Sequence, residues 1–116
     1  MHNFKELRIW KDAMQLSRII YSATKNFPKE EKYGLGQQIN RAAISIPSNI
    51  AEGAGRGTRK DFRNFINIAI GSSFELETQA ILANDFGFIN EKTFLDINSK
   101  IDVLQKMLYK FRNTLN

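Results

Sequence analysis

The sequence predicts an all-α protein, an antiparallel up-down four-helix bundle whose second helix is kinked at Pro47. Three observations carry this. Four stretches repeat apolar residues at 3,4 spacing, the period of a one-sided helix. Breakers of known chemistry separate them: Phe27-Pro28, the glycines of AEGAGRG, and Gly87. No stretch alternates with the period of two that a half-buried strand needs. Short connections between amphipathic helices then favour a bundle. The length of 116 residues fits one domain, residues 1–116. A chain of this size buries roughly two-thirds of its unfolded surface and needs no covalent staple.

The first helix is expected over Phe4 to Asn26, with Asn3 and Glu6 as a capping box. Its stripe is Leu7, Trp10, Met14, Ser17, Tyr21 and Thr24, flanked by Ala13 and Ile20. Phe27 precedes a proline and so leaves the helical region. Pro28 suits the first turn of the second helix, where Glu30 and Glu31 favour the positive end.

That second helix carries two stripes. Leu35, Ile39, Ala42, Ala43, Ile46 and Ile50 form an apolar face. Gln38, Arg41, Ser45, Asn49, Glu52 and Arg56 follow at steps of 3, 4, 4, 3 and 4, roughly 110° round the helix. Pro47 removes a backbone donor and crowds the carbonyl of Ala43, hence the expected kink, and by the same angles it points away from both stripes. The helix should stop within Gly53 to Gly57.

Thr58 with Asp61 reads as the cap of the third helix. Phe62, Phe65, Ala69, Ser72, Leu76, Ala80 and Ala83 keep heptad spacing along it, and Gly87 ends it. Asn90 caps the fourth, where Phe94, Ile97, Ile101, Leu104, Leu108, Phe111 and Leu115 form the cleanest heptad. The third helix carries surplus apolar surface: Ile66, Ile70, Phe74 and Ile81 in one extra stripe, Ile68, Leu82 and Phe86 in another. In a small bundle, a further subunit best hides such surface.

Composition narrows the chemistry. There is no cysteine, hence no disulfide and no thiolate, which fits a reducing compartment. The one histidine, His2, stands at an end where chains fray. The Glu-x-x-His pairs of a di-iron bundle, imidazole zinc sites and His-assisted nucleophiles are thereby excluded. Neighbouring carboxylates, Glu75 with Glu77 and Glu30 with Glu31, do not face one another on a helix. No enzyme and no cofactor is expected. No apolar run approaches the roughly 20 residues of a membrane span, and MHNFKELRIW lacks a signal-peptide layout. A soluble, cytoplasmic protein without a membrane partner is the expectation.

Seventeen lysines and arginines against twelve acids give a net charge of +5, which raises the prospect of a polyanionic partner. EGAGRGTRK has glycines at G-x-G-x-G, matching neither phosphate-loop spacing, and no strand precedes it. The turn still gathers Arg56, Arg59, Lys60 and Arg63 near a helix start. Such a place can hold an RNA phosphate or be a capped, solvated basic turn. Lys100, Lys106, Lys110 and Arg112 read as solvent-facing. The Gln38–Arg56 stripe can be solvated, touch a ligand, or form a hydrogen-bond network between subunits. Its regularity favours the network, since polar sets inside an assembly can fix register.

The strings LRIW, FPKEEKYGLGQQINRAAISIPSNIAEGAGR, DFRNFINIAIGSSFELETQ and the GFI turn together resemble the bacterial four-helix-bundle family named after proteins encoded in intervening sequences of 23S ribosomal RNA genes. Nearly the whole chain takes part, and SIPSNIAEG is a specific string. Thr58 stands where a serine is usual and Phe74 where a leucine is common. The resemblance implies a closed homopentameric ring, no known catalytic activity, and a link to ribosomal RNA that is mostly genomic. A similar bundle is the accessory protein of diversity-generating retroelements, a basic pentamer that binds a reverse transcriptase and its template RNA. The motif residues matched are Gln38, Arg41, Ser45, Pro47, Asn49, Glu52, Gly53 and Arg56, with a family role as much structural as functional. The partners to expect are further copies of the chain, RNA, or another protein, the last as an adaptor ring without nucleic-acid binding.

Overall fold

The computed structural model describes residues 3–116; His2 lies outside them. Four helices follow in order, α1 (Arg8–Thr24), α2 (Leu35–Ala54), α3 (Arg59–Asp85) and α4 (Glu91–Asn113), and no strand occurs among the described residues. They form a body of 43 × 24 × 20 Å. Residue numbers fall along one helix as they rise along its neighbour. Ser17 and Thr24 of α1 meet Ala43 and Asn40 of α2, and Asn67 and Glu77 of α3 meet Arg112 and Gln105 of α4.

The core is the expected apolar one. Ile39, Ala42, Ala43, Ile46 and Ile50 of α2 are buried against Ile66, Ala69 and Leu76 of α3, with Ile97, Ile101, Leu104 and Leu108 from α4. Each such aliphatic side chain contributes about 1.5–3 kcal/mol on leaving water.

Three helix ends match their signals. Thr58 Oγ1 accepts from Asp61 N–H at 3.1 Å, and Asn90 Oδ1 from Thr93 N–H at 2.7 Å. At the end of α3, Gly87 takes φ +76°. Phe88 N–H then reaches Ala83 O at 2.9 Å and Gly87 N–H reaches Asn84 O at 3.0 Å, the double closure that a left-handed residue permits.

The first two helices begin later than the sequence suggests. Asn3 caps only a 3-10 turn, Phe4–Glu6, by accepting from Lys5 N–H. Leu7 is extended, so α1 starts at Arg8. After Pro28 comes another 3-10 turn, Lys29–Glu31. The chain turns through Gly34, and Glu31 Oε1 accepts from Leu35 N–H at 3.2 Å to open α2.

The buried face of α1 is also rotated from the expected stripe. Ile9, Ala13, Leu16 and Ile20 are buried, whereas Trp10, Met14, Ser17 and Tyr21 line a groove along the seam with α2. Aromatic, thioether and hydroxyl side chains tolerate a half-wet edge, so their spacing marks the seam rather than the centre.

Pro47 does not point away from the packed surface. It is buried with Gly36, Ala43 and Ala54, because α1 lies against that side and widens the buried arc of α2. The donor that Pro47 lacks is supplied from outside. Ser17 Oγ lies 3.1 Å from Ala43 O, and 3.0 Å from its own Ala13 O as the second acceptor in reach. No helix of the described residues is long and apolar enough to cross a membrane.

Candidate nucleic-acid interface

The polar stripe of α2 divides into three parts. In its middle, Ser45 Oγ is 2.8 Å from Ser72 Oγ on α3, and Asn49 Nδ2 donates to Ser45 O at 2.8 Å and Ser45 Oγ at 2.9 Å. These half-buried groups satisfy one another within a single chain. At the α1 end, Gln38 and Arg41 are exposed and stay outside this cluster; Arg41 lines a groove toward α1. At the other end, Arg56 Nη2 donates to Glu52 Oε2 at 2.8 Å, both side chains about half-exposed.

Ser72 is therefore not a plain core position but the partner of Ser45. A hydroxyl inside an apolar heptad was the available signal. One turn pair further along α3, Gln79 is buried and its Oε1 has no hydrogen-bond partner among the described residues, a group that ordinarily needs one.

The basic turn after α2 brings Arg56, Arg59 and Lys60 to one end of the bundle, all exposed. Two of them are already engaged. Arg56 lies over the Phe65 ring, 4.9 Å from its centroid, besides its pair with Glu52. Arg59 Nη2 donates to Thr114 O at 2.7 Å. Arg56, Thr58 and Arg59 line a concave surface of about 570 Å³ beside the start of α3. Arg63 sits apart from it in character: half-buried, with Nε buried and without a hydrogen-bond partner among the described residues.

The glycines of this segment serve packing. A Cβ on Gly53 would fall 2.7 Å from Phe65 Cβ and 2.9 Å from Phe62 Cδ1, so α2 and α3 meet as closely as they do only because Gly53 has no side chain. Among the α4 cations, Arg112 is not simply solvent-facing. It is half-buried, stacks 4.8 Å over the Tyr109 ring and donates to Asn67 Oδ1 at 3.2 Å. Long cationic side chains cover apolar surface in this way while keeping part of the head in water.

A second basic surface, which charge counting along the sequence missed, lies where α1 turns into α2. Lys25, Lys29 and Lys32 stand there beside Tyr21 and Tyr33. Glu30 and Glu31 interleave with these lysines in sequence and conceal the cluster. No group of three or more histidine, cysteine, aspartate or glutamate side chains that could hold a metal ion occurs among the described residues.

The model of the family described as 23S rRNA-intervening sequence protein matches residues 5–110. Among solved structures, the chain is similar to one from Bacteroides thetaiotaomicron VPI-5482, described as a protein with unknown function from the S23 ribosomal protein family. The two are 25% identical with a TM-score of 0.84, over 90% of this chain and 95% of that one. No curated protein matches the chain.

Proposed function

The chain belongs to the 23S rRNA-intervening sequence protein family, and from that premise we propose that it is a cytoplasmic, non-enzymatic, self-associating helical protein that binds RNA or an RNA–protein particle. The observation that carries this is the concave surface beside α3, where Arg56 and Arg59 stand at a helix start with Lys60 exposed next to them. Cations beside a helix start suit a phosphate. The family description and the S23 ribosomal description of the solved neighbour support an RNA setting. Contacts of this kind follow the phosphate backbone and read sequence weakly.

RNA binding measured against salt is the test. Affinity should fall steeply as salt rises, and Arg59→Glu with Lys60→Glu should weaken it further. No binding at low salt sinks the proposal.

One observation favours a second reading, an adaptor ring that engages a protein. Ile68, Leu82 and Phe86 remain exposed along α3, Phe86 at 59%, and large apolar side chains in a row suit a subunit contact. Both readings place copies of the chain in a closed ring, a homopentamer. Light scattering should then give about five times the 13.3 kDa of one chain, and a monomer at micromolar concentration removes the ring.

A further inference from the structure

At the end of α2 away from the Arg56 turn, a groove of about 490 Å³ opens between the end of α1 and the first half of α2, a size typical of small-ligand sites. Its walls include Tyr21, Lys25, Lys29, Lys32, Tyr33 and Arg41, and no carboxylate of the described residues lines it. None of these four cations belongs to an ion pair among the described residues. Of the two acids interleaved with these lysines in sequence, Glu31 has Oε1 engaged by Leu35 N–H, and the exposed Glu30 forms no ion pair among the described residues and does not line the groove. Within the groove Asn40 Nδ2 donates to Thr24 Oγ1 at 3.0 Å, which holds the two helices at a set separation.

The aromatic rings make this more than a basic patch. Tyr33 is 79% and Tyr21 58% exposed. The Lys32 ammonium stands 5.5 Å from the Tyr33 centroid and that of Lys25 5.0 Å from the Tyr21 centroid. A cation over one ring face leaves the opposite face for a flat partner. Unpaired bases offer such a face and duplex bases do not, since theirs are already stacked. Cations flanking a stacking ring are the recurring arrangement for single strands.

We propose that this groove binds unstacked nucleotides of a single-stranded RNA, with a base on Tyr33 or Tyr21 and the adjoining phosphates on Lys25, Lys29, Lys32 and Arg41. The inference rests on the reading that the chain binds RNA, but it assigns a separate site. The two sites lie at opposite ends of a 20-residue helix, roughly 30 Å apart.

Fluorescence anisotropy with a labelled short single-stranded RNA, and with a duplex of the same length, tests it on the full chain at low salt. Tyr21→Ala with Tyr33→Ala should weaken single-strand binding about tenfold or more and change duplex binding by less than about twofold. Tyr33→Phe keeps the ring and should bind within about twofold of the parent. Both tyrosines are exposed, so circular dichroism should show the double variant as helical as the parent. Single-strand binding unchanged in the double variant overturns the inference, as would equal loss of single-strand and duplex binding, or displacement of the oligonucleotide by a mononucleotide at micromolar concentration. A groove that serves a protein partner gives the first of these results. If the parent binds no RNA, the proposed function fails with it. If binding responds only to Arg59→Glu with Lys60→Glu, the groove alone is ruled out and the proposed function stands.

Discussion

Helix α2 meets α3 along a closed seam and α1 along an open one. On the α3 side, Gly53 lets Phe62 and Phe65 approach its backbone, and Ser45 and Ser72 share a hydrogen bond across the contact. On the α1 side, a proline sits at the contact, a serine hydroxyl stands in for its missing N–H, and two grooves run along the surface. The ends differ in the same sense. Next to the closed seam, Arg56 and Arg59 are engaged by Glu52 and Thr114 O. Next to the open seam, Lys25, Lys29, Lys32 and Arg41 have no acidic partner among the described residues. The two ends therefore differ in how many of their cations are already engaged and how many are on offer to a ligand. The seam that packs most closely is not the one beside the tyrosine-lined groove.

The largest effect that separates the seams is steric. Gly53→Ala places a methyl group within 3 Å of Phe65 Cβ, an atom held by the α3 backbone. The helices must part, at about 1–3 kcal/mol, and the alanine's better helix propensity, about 1 kcal/mol, offsets only part of it. Ala51→Leu, whose position lines the open groove, should stay within about 0.5 kcal/mol of the parent. Chemical denaturation of both variants is the measurement. Equal losses would show that the seams do not differ in packing.

A smaller effect sharpens the polar side of the contrast. Ser17→Ala leaves Ala43 O without a donor, since Pro47 has no N–H to give, and should cost about 1 kcal/mol. In a Pro47→Ala background the new backbone N–H can serve that carbonyl, and the same serine change should then cost less than about 0.5 kcal/mol. An undiminished cost there would mean that Ser17 acts through its bond to Ala13 O instead.

These seams also mark where sequence reasoning reaches. Helix ends capped by neighbours in the chain were legible, as at Thr58, Gly87 and Asn90, because their partners lie within five residues. The centre of the α4 heptad was legible because Ile97, Ile101, Leu104 and Leu108 all turn into the core. The face of α1 was not, since Trp10, Met14 and Tyr21 satisfy a helical period while suiting a half-wet edge. In the basic turn the residue types were legible and their availability was not. The acceptor for Arg59 lies 55 residues away in the chain, and only the fold brings it there. Gly53 carried a glycine signal that fits a loop, a stop or a close approach equally well, and its neighbours Phe62 and Phe65 decide among these.

The smallest effect tests whether availability rather than number of charges governs binding. Glu52→Gln removes the carboxylate that Arg56 holds at 2.8 Å. Both side chains are about half-exposed, so solvent screens the pair and stability should move by no more than about 0.5 kcal/mol. The guanidinium keeps its place over the Phe65 ring, now with its charge unopposed. Duplex RNA, which cannot use the tyrosine groove, should bind up to about threefold tighter, a gain that shrinks as salt rises. Single-strand affinity should shift less, because the lysines of the groove are untouched. If duplex affinity falls instead, Glu52 orients Arg56 for the contact and the pair acts as one unit. The engaged end of α2 would then be the arranged site, and the contrast between its two ends would reverse.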